Sequence, residues 1–571
     1  MPIFADIYLK YNMPMRKICM LIAVMFVVTA DIIGKERTNG EMLNIAREIL
    51  LRRDAAKAKG ADVTLRQVVN NKQFGVFAAD GYGFVVINRN DAGRTILGQS
   101  ATDYDADNLP DGLKWWLEST EEALSKGITG SYYADVLNVD AVIDNFVTTR
   151  WNQGAPYNAK CPKVVSGLNS RIAPAGCVAT ALSQVLNYYK YPAQGKGTGL
   201  FHVTSENETK HYKMDINSVY DYNSLKDSYS ESETDKEAIS TLLYEVGVAC
   251  GMSYSYTGSG ATYLDATMAL ANIFSYDSLA INFYLRNCFP EEEWFTMIRS
   301  EIEARRPVAY AASDASAGGH AFLFTGLDTE GKVWVNWGWG GEGDGWFAID
   351  HLVVNTYNFY KDQNMIIGFV PREEPTADEE NTSLIYFDNE RGLELVNKTK
   401  VVYVNPYTIA NYGWRFFEGV VRFVLENTTT GEIAYKTLFD EQKVLQPMYI
   451  RKYNSLTNVN NMFKETYPDG LPEGDYKLHV ECKSTNEKDW KLVRRLGDFA
   501  YCSWFSVKGD GTVVVDNDQP TTAIGNVKAD DDGGVVGSYD LGGRKLKSSD
   551  KTSRMVIRKK ANGAEKILEK R

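Results

Sequence analysis

Residues 175–189 read Ala175-Gly176-Cys177-Val178-Ala179-Thr180-Ala181-Leu182-Ser183-Gln184-Val185-Leu186-Asn187-Tyr188-Tyr189. Val178, Ala181, Leu182, Val185, Leu186 and Tyr189 recur at helical spacing, and Pro174 and Gly176 punctuate the chain just before them. The pattern predicts a helix with Cys177 in its first turn. At that position the positive end of the helix dipole stabilises a thiolate and lowers the cysteine pKa. A lone free cysteine is more often a small buried hydrophobe, so a nucleophile here requires a base.

Five histidines are present, and few other side chains serve as a base near neutral pH. His320 lies in Gly318-Gly319-His320-Ala321-Phe322-Leu323-Phe324, where two glycines give a narrow approach and an apolar strand follows. The alternative for His320 is a satisfied core histidine. His202 and His211 flank a polar stretch, His351 follows an aspartate and His479 sits in a β-rich region, so surface or structural roles suit them better. In Val333-Trp334-Val335-Asn336-Trp337-Gly338-Trp339-Gly340-Gly341 a strand runs into a glycine-rich loop, so that Asn336 can bond the imidazole while Trp337 shields it, unless the segment is an aromatic packing corner. His320 follows Cys177 by 143 residues and Asn336 follows it by 159, close to the layout of papain-like proteases at about 130–150 residues. Upstream, Gln153 can join the Cys177 backbone N–H as an oxyanion donor.

A chain of 571 residues, 44% hydrophobic and 24% charged, has material for several packed domains and is not mainly disordered, collagen-like or coiled-coil. Its formal charge of -12 makes nucleic acid an unexpected partner. After Arg16 and Lys17, the apolar run 18–30 has the length of a signal-peptide core and is too short to span a bilayer. Residues 1–30 are therefore expected to be an export signal, with Met13 or Met15 as the true start, and no transmembrane segment is expected in the mature chain. Six cysteines remain beyond it, at 161, 177, 250, 288, 482 and 502, and their spacing suggests neither a metal site nor a disulfide framework.

Apolar residues at helical spacing over 41–59, runs at 74–78 and 84–87 and a helix-like 113–123 predict a small α+β unit at 31–135. A second unit is expected at 136–371, and the acidic, proline-containing 372–380 is the expected linker. Runs at 401–404, 420–425 and 477–480 between turn residues predict a β-sandwich-like region at 381–508. A tail at 509–571 follows, with eleven Lys/Arg and three Asp/Glu over 544–571.

The blocks 153–158, 176–181, 244–249 with Gly258-Ser259-Gly260-Ala261, 318–322 and 336–341, in that order over about 190 residues, resemble the streptopain (C10) cysteine peptidases. Gly83-Phe84-Val85-Val86 and Ile96-Leu97-Gly98 are similar to that family's inhibitory propeptide. The resemblance implies an α+β fold with a papain-like catalytic domain, a secreted zymogen acting on proteins or peptides, inhibition by its own propeptide, and preference for a hydrophobic residue second before the cut. It implies Cys177 as nucleophile, His320 as base, Gln153 as oxyanion donor and Asn336 or Trp337 as orienter of the imidazole. Gly318, Gly319, Gly258 and Ser259 are candidates for the substrate cleft. No metal and no cofactor are expected. The segment 535–546 resembles sorting tails of exported proteins, consistent with secretion or with periplasmic or surface retention.

Two other readings keep the same fold. In one, the papain-like unit is a silent scaffold and the β-rich region binds or adheres. In the other, the same thioester is passed to an amine, or an amide is hydrolysed. Intact Cys177, His320 and Gln153 argue against the first, and no feature of the sequence selects the acceptor.

Overall fold

The computed structural model describes residues 34–52, 63–128, 134–314, 318–350, 352, 363–372, 385–388, 392–398, 400–440, 444–485, 487–497, 501–516, 535–539, 554–560 and 563–569. The expected export signal, His351 and all of the expected linker but Arg372 lie outside the described residues. The chain mixes helices and strands, and among the described residues no helix is long and apolar enough to cross a membrane.

Four strands, β1 (Arg66–Asn70), β2 (Phe74–Ala79), β3 (Gly83–Asn88) and β4 (Ile96–Ser100), pair antiparallel in order. β2 and β3 are buried on both faces, and the period-2 alternation of a strand divides their side chains between two cores. Phe77, Ala79, Val85 and Ile87 join Met42, Ala46 and Leu50 of α1 (Asn39–Arg52). Phe74, Val76, Phe84 and Val86 join Leu113 and Trp116 of α2 (Asp111–Ser125). This double burial is why the two segments read as continuous apolar runs rather than as alternating ones.

The sheet continues past β4. Further strands are β5 (Asn282–Leu285), β6 (Val308–Asp314), β7 (Gly318–Leu327), β8 (Val333–Asn336), β9 (Gly345–Phe347) and β10 (Asn364–Ile367). They extend it to ten strands in the order β1-β2-β3-β4-β9-β8-β7-β6-β10-β5. At the junction Ser100, Gln99 and Gly98 of β4 face Gly345, Trp346 and Phe347 of β9, antiparallel. A Cβ at Gly98 would lie 2.5 Å from the Phe347 ring, and one at Gly345 only 2.1 Å from the Gln99 carbonyl oxygen. The two backbones meet there because both positions are glycine.

Against this sheet lies α3 (Cys177–Tyr189), which packs on α4 (Glu237–Ala249) and on β7. The apolar stripe predicts one buried face, yet every residue from Val178 to Asn187 is buried. The polar Thr180, Ser183, Gln184 and Asn187 thus enter the interior, where such groups require partners. α5 (Tyr263–Asn272) and α6 (Glu291–Glu303) complete the surround.

Residues 385–516 form strands with one short helix, Val459–Met462, around a second core containing Phe387, Val421, Phe423, Leu478 and Phe505. The strand Ser503–Val507 pairs antiparallel with Val513–Asp516, so the β-rich region runs beyond the expected limit of 508. The turn between them is Gly509-Asp510-Gly511, with the Gly511 N–H donating to the Lys508 carbonyl at 2.7 Å. An Asp-Gly pair between β-branched runs is a hairpin signal, and it was there to be read. The region is fastened to the β5 edge of the sheet and to α6: the buried Trp414 indole donates to the Ile281 carbonyl, just before β5, at 3.0 Å, and Arg494 pairs with Glu293 of α6 at 3.1 Å. In the expected tail, 535–539, 554–560 and 563–569 make a small antiparallel sheet.

Candidate active site

Gly176 sets the start of α3. Its φ of 94° lies in the left-handed region, and a Cβ there would come within 2.7 Å of the Met252 thioether and 3.1 Å of the Ser259 carbonyl oxygen. Only glycine satisfies both conditions. Cys177 is consequently the first residue of the helix, half-buried, with its N–H among the donors that a helix start leaves without an intrahelical acceptor.

His320 is buried on β7. Burial opposes ionisation of the Cys177 thiol, but the hydrogen bond and charge of His320, with the backbone N–H groups of Ala321 and Val178, hold the thiol below its ordinary pKa. Burial likewise disfavours an imidazolium at His320, yet Cys177, the Trp337 carbonyl and the Asp111 carboxylate raise its pKa. The two shifts reinforce each other, the pairing of the two side chains favouring the charged form of both. Burial pushes the thiols of Cys161, Cys250, Cys482 and Cys502 the other way, that of Cys502 up to about 11. No disulfide joins any two of the six described cysteines.

The Nε2 of His320 lies 3.0 Å from the backbone carbonyl oxygen of Trp337. A carbonyl only accepts, so Nε2 carries a proton and Nδ1 is left to exchange one with the thiol. Expectation and structure differ at Asn336, whose amide does not touch the imidazole. Its Nδ2 donates to the Thr149 carbonyl at 2.8 Å and to Gln184 Oε1 at 3.1 Å, and its Oδ1 accepts from Gln184 Nε2 at 3.3 Å and from the Gly338 N–H at 3.0 Å. The last bond matters most, because in a trans peptide the Gly338 N–H and the Trp337 carbonyl point in opposite directions from one plane. By holding that N–H, Asn336 aims the carbonyl at His320. Gln184 is missing from the sequence reading, where it looked like one polar position on a helix face, but it ties α3 to the strand that ends at Asn336.

Trp337 supplies its carbonyl rather than its indole. The indole donates to the Gly343 carbonyl at 3.0 Å and packs against Phe322 and Phe347 at centroid distances of 4.9 and 5.3 Å. Gln153 is carried beside α3 by the Ala175 N–H, which donates to its carbonyl at 2.9 Å. Among the described residues nothing bonds its side-chain amide. Ser259 opens a two-residue strand paired with Ser253–Tyr254 and brings its carbonyl to Gly176, and its buried hydroxyl has no partner among the described residues. Gly258 caps the same turn, its carbonyl accepting from the Ser255 hydroxyl at 2.6 Å. Gly318 and Gly319 pair with Asp314 and Ser313 within the sheet. His202 and His211 face each other across an outlying hairpin, and His479 lies in the β-rich region, away from the pair.

A cysteine in the first turn of a helix, paired with a histidine whose far nitrogen is fixed by a carbonyl, is the arrangement that cysteine peptidase chemistry needs. The Peptidase C10 family profile matches residues 151–347. The chain is 29% identical over 320 residues to streptopain of Streptococcus pyogenes, covering 52% of this chain and 79% of that one. It is 28% identical over 317 residues to the thiol protease/hemagglutinin PrtT of Porphyromonas gingivalis, covering 51% of this chain but only 36% of PrtT. A solved fragment of Prevotella intermedia prointerpain A aligns with 54% of this chain and 99% of its own, at 31% identity and a TM-score of 0.48. The chain is a streptopain-like cysteine peptidase, and its residues 151–347 are the part that matches the C10 family.

Proposed function

We propose that the chain is a secreted cysteine endopeptidase made as a zymogen, with a hydrophobic residue preferred second before the cleaved bond. The observation that carries the reading is the pairing of Cys177 with His320, which shifts that thiol toward thiolate at neutral pH. In the reaction, Sγ of Cys177 attacks the scissile carbonyl carbon, and the oxyanion takes hydrogen bonds from the Cys177 N–H and the Gln153 amide. The leaving amine receives its proton from His320 Nδ1. Water, deprotonated by the same nitrogen, then attacks the thioester and releases the acid.

Latency is the second part of the proposal. We assign residues 31–135 as the inhibitory propeptide, 136–371 as a papain-like catalytic domain, 381–508 with its extension to 516 as a β-sandwich-like domain and the remainder as a tail. Support comes from α2, whose first turn is packed on His320 and Trp337, and from β4, which adds itself to β9. The experiment is incubation of the purified precursor with casein and with an iodoacetamide-type probe, read by mass spectrometry. Label on Cys177 and new N-termini near residue 135 are expected. Label spread over other cysteines, with intact casein, would overturn the reading.

A further inference from the structure

The loop from Trp337 to Asp344 is closed at its base by two bonds. The Trp337 indole reaches the Gly343 carbonyl, and the Trp337 backbone N–H donates to Asp344 Oδ1 at 2.8 Å. Asp344 is buried, with only 8% of its surface exposed. Trp337 is therefore held on both sides of its α-carbon: its own N–H by Asp344, and the N–H of the following peptide by Asn336. Its carbonyl is the one that fixes His320.

We propose that Asp344 is a positioning residue of the peptidase site, a buried carboxylate that acts on His320 through the Trp337 backbone by fixing the carbonyl that holds Nε2 and placing negative charge behind it. This rests on the peptidase reading above. Polarity runs one way along the path: carboxylate to N–H, carbonyl to imidazole N–H, imidazole to thiol. A carboxylate behind a histidine favours the imidazolium and holds its tautomer. Here one residue, Trp337, separates the two. The charged groups acting on Asp344 are Arg150, which favours its ionised form, and Glu342 on its own loop, which opposes it. Burial acts in the same sense as Glu342 and more strongly, lifting its pKa to about 7, so the carboxyl titrates where the enzyme would work. The loop is also gripped from the N-terminal region: the Ser100 hydroxyl donates to the Asp344 carbonyl at 2.6 Å, and the Gly343 N–H donates to Thr102 Oγ1 at 2.7 Å. Those bonds leave with that region, whereas the Trp337–Asp344 bond stays in the catalytic part.

The test compares D344A and D344N in the full-length chain, activated in trans by a trace of parental enzyme and assayed on a short peptide substrate against pH. Asn keeps an oxygen for the Trp337 N–H but carries no charge; Ala keeps neither. D344A should lower kcat by about 10²-fold, the loss expected of a reacting group misplaced by about 1 Å, with KM within about threefold. D344N should recover most of kcat. In both, the alkaline limb of kcat/KM should move to lower pH, because His320 loses the charge that favours its proton. The proposal fails if D344A keeps kcat within about twofold, or if D344N is as impaired as D344A with its alkaline limb unmoved, which is the mark of a packing effect. Should D344A not fold, D344N alone decides through the alkaline limb. Alkylation of Cys177 in the activated parental enzyme checks the underlying reading separately: if that thiol is no more reactive than the other cysteines, the peptidase reading has failed rather than the role of Asp344.

Discussion

Gly112, the second residue of α2, lies so close to His320 that a Cβ added to it would stand 2.7 Å from the imidazole Cδ2 and 2.6 Å from Cε3 of Trp337. The N-terminal region thus covers the His320 imidazole with bare backbone. Gly112→Val should lift α2 from the site without touching residues 151–347. The precursor thiol should then react with iodoacetamide about tenfold faster, a displacement of roughly 1.4 kcal/mol in docking. A precursor that stays as latent as the parent would show that this contact does not enforce latency. Gly112→Ala should act in the same direction even though alanine favours the helix by about 1 kcal/mol.

The pH dependence follows from two opposite shifts. The Cys177 pKa is lowered, so thiolate persists as pH falls below the ordinary thiol range and is lost only through that lowered value. The His320 pKa is raised, so imidazolium persists above the ordinary histidine range and is lost as pH rises through it. A bell-shaped kcat/KM is expected between the two. In the precursor the Asp111 carboxylate adds to the rise at His320, so the imidazolium should persist to higher pH there than in a form lacking the N-terminal region, which NMR titration of the imidazole measures. An alkylation profile following an ordinary thiol, rising only above about pH 8, would contradict the ion pair.

Asn336→Ala should reduce kcat by about 10–10²-fold although its side chain never meets the imidazole, because the Trp337–Gly338 peptide loses the acceptor that sets its plane. Steady-state kinetics on a peptide substrate measures this. Gln184→Ala, which removes the same anchor from the α3 side, should show a similar split of kcat and KM together with a lower melting temperature, since Gln184 is fully buried. Parental turnover in Asn336→Ala would mean that the loop holds its own shape.

Folding stability should carry the mark of Asp344. The folded chain keeps a proton on this carboxyl up to about pH 7, whereas an unfolded chain releases it near 3.8. Between those values the folded state binds more protons, so stability falls as pH rises and the loss is complete above pH 7. Asp344→Asn removes that slope. Its melting temperature relative to the parent should climb from pH 4 to pH 8, and a difference constant across that range would sink the prediction. A substitution that stabilises the fold while shifting the pH profile is the expected behaviour of a group kept for function.

Turnover with Gln153→Ala should drop by about 10²–10³-fold with little change in KM, the usual consequence of losing one oxyanion donor. A rise in KM at parental kcat would place Gln153 in substrate binding instead.

Local periodicity carried much of this structure. α3, its first-turn cysteine and the strands β2 and β3 on either side of the turn at Gly81 follow from spacing and glycine placement alone, as does the glycine-rich loop after Asn336. What did not follow was pairing at long range. Phe347 meets Gly98 across 249 residues of chain, and nothing local to either segment marks them as neighbours, so the N-terminal and catalytic units read as separate when they share a sheet. The buried polar groups were hidden for the same reason. Nothing in the local sequence singles out Gln184 or Asp344, because each acquires its role only from a partner brought in by the fold. Asn336 was singled out, but its target is a peptide plane, which no side-chain inventory displays.

The junction between β4 and β9 has a consequence for what is left once the N-terminal region is gone. A strand with neighbours on both sides becomes the rim of a sheet, with main-chain donors and acceptors turned outward, and such rims are where chains adhere to one another. β9 is only three residues long, and a Cβ at Gly345 has room only where no second backbone lies alongside. If the N-terminal region is cut away as proposed, a stub of that length offers too few consecutive pairings to recruit another copy, so the remaining sheet would acquire no sticky border.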